Sequence, residues 1–105
     1  MKTIVAISTP IGRGGIGIVR MSGDDAKNIA SQIFFKKGLD FSALVPNVMY
    51  FGTVSGRDFS DRCYMVWFRA PKTYTGEDVV EFQCHGGVKL TELVVNECIL
   101  RGAEM

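Results

Sequence analysis

The sequence has no excess of charge of one sign, no long apolar run and no paired cysteine pattern, and each absence removes a class of protein. Twelve Lys and Arg against eleven Asp and Glu leave a formal net charge of +1. No whole-chain field therefore draws nucleic acid or an anionic membrane toward it, and any polyanion contact must be local. The longest apolar stretches, such as Tyr64 to Phe68 and Val79 to Val80, fall far short of the roughly 20 residues that cross a bilayer. A soluble chain is expected. Met1-Lys2-Thr3-Ile4-Val5-Ala6-Ile7 runs into Ser8-Thr9-Pro10 with no extended apolar segment and no small-residue cleavage site, so it does not make a signal peptide. Three cysteines, Cys63, Cys84 and Cys98, are an odd number; this argues against a disulfide framework and for a reducing compartment. Internal repeats and low-complexity tracts are also missing.

What is present fits one compact domain: 105 residues, 47% hydrophobic and 22% charged. Ile4 to Ser8 is β-rich, and Pro10 with Gly12, Gly14, Gly15 and Gly17 then breaks regular pairing. A second strand is expected from Ile16 to Met21 and ends at Gly23. Ser22 and Asp25 stand at capping-box spacing, with Asp where Glu or Gln is usual. Ala26, Ile29, Ala30, Ile33 and Phe34 then recur at helical spacing, predicting an amphipathic helix of about three turns that ends before Gly38. Gly38 to Asn47 reads as a connection, Val48 to Val54 as a strand and Ser55-Gly56-Arg57-Asp58 as a turn. Cys63 to Phe68 follows as a strand apolar on both faces, which needs cover on both sides. After the loop Ala70 to Gly76, Asp78 to Cys84 alternates. Val80, Phe82 and Cys84 point to one side, and Glu81, Gln83 and His85 to the other. A last helix runs from Gly86-Gly87 to about Arg101, with Thr91, Val94, Val95 and Cys98 as its stripe and Gly102 as a left-handed cap. The order β-β-α-β-β-β-α predicts an α+β fold, a mixed sheet packed with two helices in two layers.

Gly12-Arg13-Gly14-Gly15-Ile16-Gly17 matches the dinucleotide fingerprint formally, but its context does not. A strand follows where a helix N-terminus should face the phosphates, and Lys37 stands where an acidic residue is required. Ile18 and Val19 occupy the Lys and Ser/Thr positions of a nucleotide phosphate loop, so this segment should not hydrolyse GTP or ATP. A structural turn, or a loop whose amides and Arg13 touch a ligand or partner, both remain open. Cys84-His85 is not a thiol-imidazole pair, because neighbouring strand residues point to opposite faces. Cys84 reads as a core residue and His85 as a structural hydrogen bond or helix-start contact. The cysteines lack paired metal-ligand spacing. Glu81 sits inside an apolar strand, where an unpaired carboxylate is expensive, and Arg20 poses the matching puzzle between Val19 and Met21. Either the two pair with each other or with water, or the carboxylate accepts two parallel hydrogen bonds from a ligand edge such as that of guanine or pterin.

Two long strings add a resemblance. Ile4-Val5-Ala6-Ile7-Ser8-Thr9-Pro10-Ile11-Gly12-Arg13-Gly14-Gly15-Ile16-Gly17-Ile18-Val19-Arg20-Met21-Ser22-Gly23 resembles the opening of the tRNA modification GTPase family called MnmE or TrmE. So does Ala70-Pro71-Lys72-Thr73-Tyr74-Thr75-Gly76-Glu77-Asp78-Val79-Val80-Glu81-Phe82-Gln83-Cys84-His85-Gly86-Gly87. The likeness covers essentially the whole chain, with Ile11 where Pro is usual and Asp61-Arg62 in place of a commoner acidic pair. It implies that residues 1–105 are one folate-binding and dimerisation domain, similar to half of an aminomethyltransferase-type folate-binding domain. The chain is expected to stop before the family's helical and GTP-binding domains and its C-terminal cysteine motif, and before a further folate-contacting basic residue. The implied cofactor is 5-formyl-tetrahydrofolate or a related reduced folate, with Arg20 and Glu81 matching positions that contact it and no metal site. GTP, Mg and K would belong to the absent G domain. The implied partners are a second copy, an MnmG-type flavin-dependent protein and, through the full-length complex, tRNA whose wobble uridine is modified. A membrane is not among them, and the implied location is the cytoplasm. Catalysis by this segment alone is not expected. The rival reading is a non-catalytic dimerisation or docking module for tRNA or the flavin-dependent partner. A structure with Arg20 and Glu81 clasped together and no vacant cleft beside them would end the folate idea.

Overall fold

The computed structural model describes residues 2–8, 16–73, 75–85 and 87–105. Six strands form one sheet, β1 (Ile4–Ile7), β2 (Ile16–Ser22), β3 (Phe34–Phe35), β4 (Tyr50–Ser55), β5 (Ser60–Phe68) and β6 (Val79–His85), in the spatial order β1-β2-β6-β5-β4-β3. Helices α1 (Ala26–Ile33) and α2 (Gly87–Leu100) complete the α+β architecture. Every pairing between these strands is antiparallel. A parallel bridge joins Ile4 to Glu104 beyond α2, tying the end of the described chain to the first strand.

Period-2 alternation puts one side of each strand against the helices. Val5, Val19, Met21, Val80, Phe82, Cys84, Cys63, Met65, Trp67 and Val54 fill this side, and all are buried with Ile29, Ala30, Ile33, Leu90, Val94, Val95 and Cys98 in one core. The helices lie on that face, so among the described residues the opposite face of the sheet carries no helix and is the open one. There the register runs Ala6, Arg20, Glu81, Val66 in one row and Ser22, Val79, Phe68 in the next. The expected alternation of β6 is present, but Glu81 is only 8% exposed although it points away from the core.

Several boundaries differ from the sequence reading. Ser22 does not cap α1. It is still in β2, Asp25 is the N-cap without a side-chain cap bond, and the Asp25 amide instead donates to Thr3 Oγ1 at 3.0 Å. The helix makes just over two turns because Phe34, read as part of its stripe, turns extended and pairs with Val54. Strand pairing offers Phe34 the same burial that the helix would have given it. β4 begins at Tyr50 and β5 at Ser60. The close of α2 follows expectation: Gly102 has φ +121, its amide donates to Ile99 O at 3.1 Å and that of Ala103 to Cys98 O at 3.0 Å, the two bonds of a Schellman cap. The glycine-rich loop falls mostly on residues 9–15, outside the described residues.

Candidate functional site

β2 and β6 run antiparallel with Arg20 directly opposite Glu81, so both side chains rise from adjacent points on the open face. Glu81 Oε2 accepts from Arg20 Nε at 2.7 Å and also from Arg20 Nη2. Both donors converge on one oxygen. Glu81 Oε1 and Arg20 Nη1 therefore have no protein partner among the described residues. The guanidinium is 37% exposed and the carboxylate side chain 10%. This is a part-buried ion pair that keeps an acceptor and a donor in reserve.

Beside the pair lies a cleft of about 370 Å³ lined by Arg20, Glu81, Phe68, Val79, Lys72 and Thr73. That is the size of a small-molecule site, and the lining is mostly apolar with a few convergent polar groups. Phe68 and Val79 form the apolar floor, since they are register partners across β5 and β6 on the open face. Lys72 and Thr73 come from the loop between those strands. The loop is braced from within: Ala70 N–H donates to Asp78 Oδ1 at 2.8 Å, and Thr73 Oγ1 donates to Glu77 O at 2.7 Å. Gly76 supplies the left-handed turn at φ +81. Ser22 fastens the loop to β2, donating to Glu77 Oε1 at 3.1 Å and sharing a 2.7 Å hydrogen bond with Thr75 Oγ1.

Of the other residues singled out in the sequence, Cys84 is buried as read. Its register partner is Cys63, a juxtaposition that one-dimensional spacing could not show. A hydrogen bond with Cys84 and burial push the Cys63 thiol up, and the same bond holds Cys84 down. All three cysteines are free thiols. His85 is exposed at the end of β6, and its side chain has no hydrogen-bond partner among the described residues. Lys72, Thr73, Phe68 and Ser22 were missed as cleft and loop residues, because a loop folding over a sheet leaves no periodic trace. Glu97 was missed too. It is 4% exposed and accepts from Arg101 Nε and from Arg57 N–H, each at 3.1 Å. Its four-residue spacing from Arg101 was the available signal. With both oxygens bonded, Glu97 fastens the β4–β5 turn to α2 and offers nothing to a ligand. Among the described residues no group of three or more His, Cys, Asp or Glu is arranged to hold a metal ion, and no helix is long and apolar enough to cross a membrane.

Comparison with known proteins supplies the family. Residues 3–105 match the model of the GTP-binding protein TrmE N-terminus. The chain is 44% identical over 106 residues to the tRNA modification GTPase MnmE of Lactobacillus helveticus, covering 98% of this chain and 23% of that protein. The MnmE of Lactiplantibacillus plantarum is 44% identical, with 98% and 22% covered, and that of Streptococcus agalactiae serotype Ia is 42% identical, with 98% and 23% covered. The chain thus spans less than a quarter of the length of the curated relatives it matches.

Proposed function

The chain belongs to the TrmE N-terminal family, and on that premise we propose that its cleft binds a reduced folate, 5-formyl-tetrahydrofolate or a related one-carbon carrier. The observation that carries the proposal is the unshared Glu81 Oε1 at the cleft. A nearly buried carboxylate with one oxygen spent and one free is suited to an N–H edge such as the amino-pyrimidinone of a pterin. Arg20 holds the carboxylate in place through two bonds to the other oxygen and keeps N–H donors for a carbonyl or anionic part of the ligand. Phe68 and Val79 offer apolar surface to a flat ring system, and burying it there excludes water from the polar contacts. The bound folate would supply a one-carbon unit. The cleft residues would bind and orient it.

The same reading makes this segment one domain of a longer protein, a homodimer that acts in the cytoplasm with tRNA and an MnmG-type flavin-dependent partner to modify the wobble uridine. GTP, Mg and K would bind elsewhere in that protein. The open face supports pairing with a second copy. Phe35, Phe51, Tyr64, Ile4 and Ile16 are each more than a third exposed on it, as on a surface that a partner covers. Those residues also favour a second reading, a dimerisation or docking module without a ligand.

Calorimetric titration with 5-formyl-tetrahydrofolate, alongside light scattering on a sizing column, separates the two. Saturable heat is expected, and Glu81→Ala or Arg20→Ala should each weaken binding by about 1–3 kcal/mol, the range for a charge-assisted hydrogen bond. A dimeric chain that gives no heat favours the docking module. A species of only 11.6 kDa counts against stable pairing.

A further inference from the structure

The cleft does not end at Lys72. That residue also lines a second hollow of about 280 Å³, with Arg69, Ala70 and Pro71 from the same loop and Pro46 and Asn47 from the connection before β4. The connection is held against the sheet by the Asn47 amide, which donates to Trp67 O at 2.9 Å. Two cations, Arg69 and Lys72, line this hollow, and no acidic residue does. Of the acids of the neighbouring loop, Asp78 is held by the Ala70 amide at the rim of the hollow and Glu77 by Ser22.

Several cations in other parts of the molecule are occupied. Arg62 donates to Gly52 O at 3.1 Å and lies over Phe51, Arg101 is bonded to Glu97, Lys27 sits over the Trp67 ring and Arg20 is neutralised by Glu81. Among the described residues Arg69 and Lys72 have no protein partner for their charge. Within the cleft proper the Arg20–Glu81 pair cancels, so the net charge felt by a ligand leaving it comes from these two side chains.

We propose that this second hollow is a subsite for an oligo-anionic tail, specifically the γ-linked glutamate carboxylates that extend from a folate whose ring occupies the cleft. The inference rests on the folate reading and adds to it a preference for chain length. The ring binds at Arg20 and Glu81, the tail passes Lys72, and successive carboxylates meet Lys72 and Arg69. Because both cations are exposed, the attraction is screened by salt.

Three probes test this on the chain as it stands: 5-formyl-tetrahydropteroate, which has no glutamate, 5-formyl-tetrahydrofolate with one, and its triglutamate. Affinity is expected to rise in that order, by about tenfold from the first to the last at 50 mM salt, as weak exposed charge pairs allow, and the spread should shrink at 500 mM. In Arg69→Gln/Lys72→Gln the spread should collapse to within about twofold. Equal affinity for all three probes, or an undiminished spread in the double variant, overturns the tail subsite and leaves the folate reading intact. No binding of any probe overturns both. Since both substituted residues are exposed on a loop, a thermal melt matching the parent chain confirms that folding is unchanged.

Discussion

Removing the charge from one side of the Arg20–Glu81 pair should cost unequal amounts, and removing both should cost little. In Arg20→Met the stem is kept but Glu81 is left as a carboxylate with a side chain 10% exposed and no cation. Breaking a buried pair from one side costs about 3–5 kcal/mol. Water reaching the cleft takes up some of that, so we expect about 2–4 kcal/mol. In Glu81→Gln an isosteric acceptor remains and the guanidinium, 37% exposed, finds water, for a loss of about 1 kcal/mol. In Arg20→Met/Glu81→Leu no charge is stranded and the open face gains apolar surface. Stability should return to within about 1 kcal/mol of the parent or exceed it, while folate binding is lost. Trp67, 7% exposed and the one tryptophan, reports unfolding by fluorescence. With a urea slope of about 1–1.5 kcal/mol per molar for a chain of this size, Arg20→Met should lower the midpoint by about 2 M at fixed protein concentration. If Arg20→Met is no more damaging than Glu81→Gln, or if the double variant is as unstable as Arg20→Met alone, the charge-stranding argument fails. A stable double variant that still binds folate would instead remove the pair from the site.

Two further outcomes follow from the packing. A Cβ at Gly52 would stand 2.6 Å from the Phe35 carbonyl oxygen and 2.7 Å from the Phe34 ring, a backbone atom and a core side chain that cannot both give way. Gly52→Ala should destabilise by about 2–3 kcal/mol and lower Tm by about 10 °C or more; an unchanged melt would mean that β3 moves freely. Burial, with the Glu97 charge beside it, pushes the Cys98 thiol from 9.0 up to about 12. A folded-state value above the unfolded one contributes stability that is full below about pH 9 and lost as pH rises toward about 12, at up to about 1.4 kcal/mol per pH unit. Urea midpoints at pH 8, 9.5 and 11 should fall more steeply for the parent than for Cys98→Ala, and parallel curves would contradict this.

The elements whose burial is periodic were legible in the sequence. β2, β6 and α2 have the spacing of a half-buried strand or an amphipathic helix, and Gly102 marks where α2 stops, because only a residue without Cβ takes that φ cheaply. The short edge strand Phe34–Phe35 was not legible. Two residues make no period, and what turned them extended is pairing with β4. Ser22 misled for a related reason: a hydroxyl before a helix caps it only if no other partner competes, and here Thr75 and Glu77 of a distant loop do.

Sequence alone determined that Glu81 and Arg20 are anomalous, since a charge inside an apolar strand must find a partner wherever that strand lies. It also determined the family, through the two strings at residues 4–23 and 70–87. Only the tertiary structure decided that the two residues face each other across β2 and β6, that one carboxylate oxygen is left over, and that a loop from residue 70 onward turns the spot into a cleft. Strand register and loop placement are set by contacts between segments some sixty residues apart, such as Arg20 with Glu81, and local residue order carries no record of which of those contacts will form.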